Sequence, residues 1–317
     1  MNFKNNLNNF STEEMKFLHD SLSNLLEKRS SSSLHLDGFS QEYTRYSKSY
    51  HSLKYNKSIE LSFQKMIEFF GKDAKLIDIN FKRIIDFIDW LKQTAPKGYR
   101  VYYRNLKAAF NKAKDWEYIN DNPFTKVKLS KQQLEFPFYL TVEDLNLILE
   151  ETVDVTHSTL FLFAFFTGCR LSEIINLKWS NVDFSNRVIT IGDNEFITKT
   201  REQRIIPLSN RLHSALLELR NNNSSNGYVF CKKNGYRYST DYISKLFKSI
   251  VRKLGFDEKI HFHTLRHSFA SHLVQNGADL YTVKEILGHS NVKTTERYAH
   301  LNLNNLKKAM EVFNYAA

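Results

Sequence analysis

Arg170, Lys199, His263, Arg266, His289 and Tyr298 are the side chains from which metal-free phosphodiester transfer could be built around a tyrosine nucleophile. They lie in short recognisable blocks: Gly168-Cys169-Arg170-Leu171-Ser172-Glu173, Thr198-Lys199-Thr200, His263-Thr264-Leu265-Arg266, Leu287-Gly288-His289 and Thr294-Thr295-Glu296-Arg297-Tyr298-Ala299-His300. A phosphodiester repels nucleophiles through its oxygens, and more charge gathers in the pentacoordinate transition state. An arginine fork meets two of those oxygens at once and does not deprotonate. Two such forks on one phosphate could replace the metals that many nucleases use. A tyrosine has a pKa of ~10, so it needs a base or a cationic pocket before it can attack. The product is a phosphotyrosine that keeps the bond energy for rejoining, so no ATP is needed. Lys199 suits the general acid that protonates the leaving 5′ oxygen. His263, three residues before Arg266, shares its helix face and could take the tyrosine proton or steady a phosphoryl oxygen. His289 could add a hydrogen bond, and Glu173 is expected to orient an arginine or a histidine.

Six of the 11 histidines (His261, His263, His267, His272, His289 and His300) fall within residues 261–300, which raises a zinc site as a rival. No His-Glu-x-x-His or Cys-x-x-Cys spacing supports it. No cofactor and no metal is therefore expected.

These residues need elements to hold them. Residues 160–167 are apolar and helical, with Gly168 as the cap, so Arg170 follows a helix end and a new helix runs from Leu171 to Leu177. Residues 187–191, 195–198 and 204–208 alternate as three strands, with a turn at Gly192-Asp193-Asn194 that puts Lys199 at the end of the second strand. Arg266 lies on a helix over 264–276 whose stripe is Leu265, Phe269 and Leu273. Further helices are expected over 209–221, 240–254, 279–287 and about 293–300. Thr141 is the expected N-cap that opens this domain.

The upstream half reads as all-helical from 43 to 130. Ile59, Phe63, Met66, Ile67 and Phe70 keep helical spacing up to Gly71, and Phe81, Ile84, Ile85, Ile88 and Leu91 do so up to Pro96. A third helix over about 99–114 turns Leu106, Ala109 and Phe110 inward. Arg100, Tyr102, Tyr103, Arg104 and Lys107 occupy its other faces. At the N-terminus, Ser11-Thr12-Glu13-Glu14 is a capping box for a helix to about Arg29, followed by a flexible run of serines. The expected layout is 1–42, an N-terminal helix and flexible segment; 43–130, a helical binding domain; 131–139, a linker; 140–300, a catalytic domain; and 301–317, a C-terminal segment.

The net charge of +11 suits a polyanionic partner. Residues 43–135 hold 19 Lys/Arg against 10 Asp/Glu, whereas residues 1–42 hold 4 against 6. The excess therefore marks a dedicated binding module. Lys54, Lys57, Arg100, Arg104 and Lys107 there, with Arg201 and Arg237 downstream, are the candidate DNA-binding residues. Two cysteines offer no disulfide framework. The longest strongly apolar run, residues 160–166, is far below the ~20 residues needed to span a bilayer. With no signal-peptide pattern, a cytoplasmic, nucleoid-associated protein without a membrane partner is expected.

The blocks over 160–178, 196–208 and 261–300, in that order, resemble the tyrosine recombinase (phage integrase) family. The resemblance covers residues 43–300 and carries the catalytic roles to Arg170, Lys199, His263, Arg266, His289 and Tyr298. It implies a mainly α fold with a small β-sheet (α+β): a helical core-binding domain and a mixed catalytic domain that form a C-shaped clamp on duplex DNA. It also implies a homo-tetramer on two double-stranded DNA sites, strand exchange through a Holliday junction, and accessory recombination proteins as further partners. The segment 301–317, with Leu303, Leu306, Met310 and Phe313 at helical spacing, would dock on a neighbouring protomer. Residues 1–42 are short and acidic for the arm-binding domain that many integrases carry. A type IB topoisomerase would share the chemistry but not the assembly helix. A non-catalytic DNA-binding protein and a metal-dependent nuclease are weaker rivals.

Overall fold

Leu36, Phe39 and Tyr43 recur at intervals of three and four residues, and this stripe makes the helix α1 (Leu36–Tyr50) by burying all three side chains. The computed structural model describes residues 34–130, 136–192, 203–222 and 227–301, with Glu13, Met15, Lys16 and His19. The chain folds as two compact units, Met1–Lys131 and Gln132–Ala317. The expected break at 42/43 falls inside α1. Its stripe is interrupted by Gly38 and by serines, a weak signal in sequence. The serines contribute to packing: Ser47 Oγ donates to Asn56 Oδ1 at 2.6 Å and ties α1 to its successor.

The rest of the first unit is α2 (Leu53–Phe70), α3 (Phe81–Thr94) and α4 (Tyr99–Asp115). Ser52 and Asn80 cap α2 and α3 by accepting the amides of Tyr55 and Arg83. Ile59, Phe63 and Met66 pack with Ile84, Phe87, Leu91, Leu106 and Phe110 in one core. A polar seam crosses it, where Asn105 Nδ2 donates to Ser58 Oγ at 2.8 Å and to Ser62 Oγ at 3.0 Å. Asn122 closes the bundle by donating to the Lys107 carbonyl and accepting the Phe124 amide. The helices read over 43–130 are thus present, with α1 in front of them; the helix expected from Ser11 to about Arg29 lies largely outside the described residues.

The second unit opens with α5 (Val142–Glu151), where Thr141 and Asp144 form a reciprocal capping box. Next comes α6 (Val155–Thr167), in which Leu160, Phe161 and Phe163 are fully buried. Each such side chain contributes roughly 1.5–3 kcal/mol by leaving water, so α6 is a rigid floor. Gly168 ends it with φ +63°, and a Cβ there would lie 2.5 Å from Phe269 Cδ1 and 2.7 Å from Leu287 Cδ2. Gly168→Ala combines backbone strain with overpacking and is expected to cost about 2–4 kcal/mol. Chemical denaturation of the two proteins measures it, and equal midpoints and slopes would refute it.

The helix expected over 171–177 is only one turn, α7 (Leu171–Ile174). The α-helical ladder stops there: the Leu177 amide donates to Ile174 O at 3.1 Å, an i→i−3 bond, and Leu177 O then accepts the Val229 amide at 2.9 Å as the chain straightens. The sheet has the order β1 (Val182–Asp183), β2 (Val188–Ile191), β3 (Arg204–Pro207), all antiparallel. β2 pairs with β3 through Ile189↔Ile206 and Ile191↔Arg204. The strand expected over 195–198 lies outside the described residues. Four helices follow: α8 (Asn210–Asn222), α9 (Thr240–Lys253), α10 (His263–Gln275) and α11 (Leu280–Leu287). Where one helix was expected near 293–300, two 3₁₀ turns occur, Val292–Thr294 and Glu296–Leu301. The fold is mainly α with a small sheet. No helix among the described residues is long and apolar enough to cross a membrane.

Candidate active site

The left-handed turn at Gly168 delivers Arg170 to the start of α7. There its amide donates to Glu173 Oε2 and its Nη1 to Glu173 Oε1, both at 2.8 Å. Its Nη2 donates to the Gly288 carbonyl at 3.0 Å, just past α11. Glu173 is 3% exposed and holds a second guanidinium, that of Arg204 at the head of β3, at 2.6 Å. Arg204 Nε donates in turn to the Ile286 carbonyl at 2.7 Å. Burial pushes the Glu173 carboxyl up, but the bonds and charge of Arg204 and the donors of Arg170 outweigh it and hold it below the usual range. Glu173 thus holds two arginines, Arg170 and Arg204. Arg204 is the missed member. Its sequence signal is an arginine leading the apolar strand Arg204-Ile205-Ile206-Pro207.

Arg266 lies on the first turn of α10, beside Leu265, and is 3% exposed. Its Nη1 donates to Gly168 O at 2.7 Å and its Nη2 to Leu287 O at 2.8 Å. Burial and then the Arg170 charge push its pKa down to about 10, so it stays cationic at neutral pH. Both sequence-predicted arginines thus end on the same two chain turns, around Gly168 and around Leu287-Gly288.

His289 follows Gly288, and its Nδ1 sits 2.8 Å from Thr295 Oγ1. Burial, then the Arg266 and Arg170 charges, press its pKa down to about 3, so the ring is neutral at physiological pH. His263 stands exposed on the first turn of α10. Enclosure by its neighbours and the Arg266 charge lower its pKa, although open solvent on one side limits the effect.

Tyr298 is 1% exposed, on the second 3₁₀ turn, and packs with Ala270, Val274, Val283 and Leu287. Its Oη lies 2.6 Å from His267 Nδ1. Burial raises its pKa, partly offset by Arg297 and Arg266. In sequence His267 is one of the six clustered histidines, with no role of its own. Its signal was its position, one residue after Arg266 and four after His263, whose ring stands at 87° to its own with centroids 4.9 Å apart. Among the described residues no three His, Cys, Asp or Glu side chains gather as a metal ion would require.

Lys199 and Arg201 lie outside the described residues. Lys54 and Lys57 are exposed on α2, and Arg104 is exposed on α4. Two other α4 cations are tied down. Arg100 donates to Ser130 O at 2.8 Å, and Lys107 lies 3.4 Å from Tyr103 Oη. Arg237, in the second unit, donates to Asn176 Oδ1 and sits over the Tyr228 ring.

The model of the phage integrase family matches residues 139–305, and that of the phage integrase SAM-like domain matches residues 35–129. The chain belongs to the phage integrase family. Phage integrase relatives include tyrosine recombinase XerD of Listeria monocytogenes, 26% identical over 276 residues that cover 81% of this chain and 91% of the relative. Tyrosine recombinase XerC of Pediococcus pentosaceus is 30% identical over 206 residues, covering 60% and 67%. Among solved structures, the Tn1549 transposon integrase in complex with a circular intermediate DNA superposes with a TM-score of 0.73 at 21% identity, covering 84% of this chain and 95% of that one. The XerH site-specific recombinase bound to palindromic difH substrate gives 0.69 at 23%, covering 86% and 84%. At these identities the structures speak for the integrase fold alone.

Proposed function

We propose that this tyrosine recombinase cuts and rejoins double-stranded DNA at specific sites through a 3′-phosphotyrosine on Tyr298. The observation that carries the reading is the convergence of Arg170 and Arg266 on the turns at Gly168 and Leu287-Gly288, with the buried Tyr298 packed against Leu287. In the reaction the two guanidinium groups grip the non-bridging oxygens, and His263 and His289 add hydrogen bonds as charge builds. Tyr298 displaces the 5′ oxygen, which leaves with a proton from Lys199. Glu173 keeps Arg170 aimed and, through Arg204, braces the sheet against α11. Neither ATP nor a metal is required.

The exposed cations Lys54, Lys57 and Arg104 of the basic helical unit track phosphates, with Arg100, Lys107, Arg201 and Arg237 as further contacts. Recombination by a homo-tetramer on two sites, through a Holliday junction, completes the reading, with 301–317 docking on a neighbouring protomer and accessory proteins setting direction. The cytoplasmic nucleoid is the setting. The recombinases of similar fold that are described with bound DNA support the duplex partner. A topoisomerase-like nicking and closing activity is not favoured, because the similar curated proteins are recombinases.

A nicked duplex suicide substrate, bearing sites from the DNA that flanks the gene, tests this with EDTA present. The expected result is a covalent protein–DNA band whose peptide map places a 3′-phosphate on Tyr298. An adduct on another residue, or cleavage that EDTA abolishes, would overturn it.

A further inference from the structure

The nucleophile proposed above is not bonded to the histidine that the sequence pairs with Arg266. Among the described residues its hydroxyl partner is His267 Nδ1, at 2.6 Å. His263, exposed on the same helix, meets His267 ring to ring. Tyr298 is 1% exposed, so bulk water has little access to its phenol and a proton released there must go to a protein group. The groups that face His267 are His263 and Arg266 on α10, His261 just before it, and Arg297 with Tyr298 on the 3₁₀ turn. None of them is an anion, so the imidazole is held neutral, with a vacant lone pair to offer when Nε2 carries its proton.

We propose that His267 is the base that receives the Tyr298 proton during strand cleavage and returns it during rejoining. This rests on Tyr298 being the nucleophile. In cleavage the Oη–P bond forms as the P–O5′ bond breaks. The phenol proton passes to His267 Nδ1, giving an imidazolium, while the leaving 5′ oxygen takes its proton from Lys199. In rejoining the 5′-hydroxyl attacks the phosphotyrosine and returns its proton to Lys199; the P–O5′ bond forms as the Oη–P bond breaks, and the tyrosine oxygen leaves with the proton from His267. Burial, and then the neighbouring histidines and arginines, press the resting pKa of His267 down to about 3, a poor base. A phosphate seated between Arg170 and Arg266 supplies the anion that is missing, offsets the Arg266 charge that faces His267 and raises the basicity of His267. The base is therefore switched on by the substrate, and His263 is left to steady the phosphoryl group.

The test is single-turnover adduct formation on the nicked suicide substrate from pH 6 to pH 9. It compares the full-length wild type with His267→Ala and His267→Asn. Asparagine places Oδ1 near the position of Nδ1, so it keeps the hydrogen bond and loses the basicity. Both variants are expected to bind DNA as the wild type does and to cleave about 100-fold more slowly at pH 7. Their rates should climb about tenfold per pH unit as hydroxide replaces the lost base, against a flatter wild-type profile. A 5′-bridging phosphorothiolate, whose leaving group needs no proton, should not rescue them. Wild-type rate and pH profile in His267→Asn, or rescue by the phosphorothiolate, would overturn the proposal, because the residue would then be a positioning group or serve the leaving group. A wild-type protein that forms no Tyr298 adduct would sink the underlying reading instead.

Discussion

Tyr298→Phe is expected to bind duplex DNA within about twofold of the wild type and to form no covalent adduct. The ring fills the same apolar niche among Ala270, Val274, Val283 and Leu287. Only the oxygen is lost, and with it the partner of His267. Losing a part-buried hydrogen bond costs about 1 kcal/mol, so the second unit should melt slightly earlier and remain folded. The effect on chemistry is total, since phenylalanine has no atom with which to attack phosphorus. Gel shift, melting curve and adduct assay on one preparation check all three statements. An adduct formed by the phenylalanine protein would show that another side chain is the nucleophile.

Glu173→Ala is expected to have the largest effect on stability, a loss of about 3–5 kcal/mol from the second unit. The carboxylate accepts from Arg170 and Arg204 at once, and both depend on it for charge balance. Its removal leaves two enclosed cations facing each other. Adduct formation should fall as well, because Arg170 loses the fork that aims it. The effect depends on pH in a fixed direction. The folded-state pKa of Glu173 lies below its unfolded value of about 4.3. Its stabilisation is therefore complete above about pH 4.3 and is lost as pH falls through the folded value. The gap in unfolding free energy between wild type and variant should narrow from pH 4.3 downward. A gap that is small at pH 7, or that widens in acid, would contradict the paired-carboxylate account.

Much of this site is legible in sequence because its residues come in dense local blocks. His263 and Arg266 share one helical turn, Glu173 stands three beyond Arg170, and Gly168 and Gly288 announce the two helix ends on which the arginines converge. Arg204 and His267 are a different kind of residue. Arg204 acquires its meaning from strand register, opposite Ile191, and from a carboxylate 31 residues upstream. His267 acquires its meaning from a tyrosine 31 residues downstream. Composition and spacing do not encode such pairings. The fold shows the same division. Strong apolar stripes give α2, α3 and α4, whereas α1 is held by a thin stripe plus a buried serine–asparagine bond. α7 gives way to a chain that pairs with Val229, more than fifty residues further along.

The bond from Arg170 to the Gly288 carbonyl joins points 118 residues apart, and that from Arg266 to Gly168 joins points 98 residues apart. Translation adds about 5–20 residues per second, so roughly 6–26 s separate the emergence of Arg170 from that of Tyr298 at those rates. For most of that interval Arg170 lacks its partner at Gly288, and throughout it there is no tyrosine to attack with. On the proposed reading the basic helical unit, finished earlier, is the part that tracks phosphates. A stalled or prematurely terminated product would then occupy DNA without breaking it, and strand cutting would be confined to chains that the ribosome has carried past the proposed nucleophile.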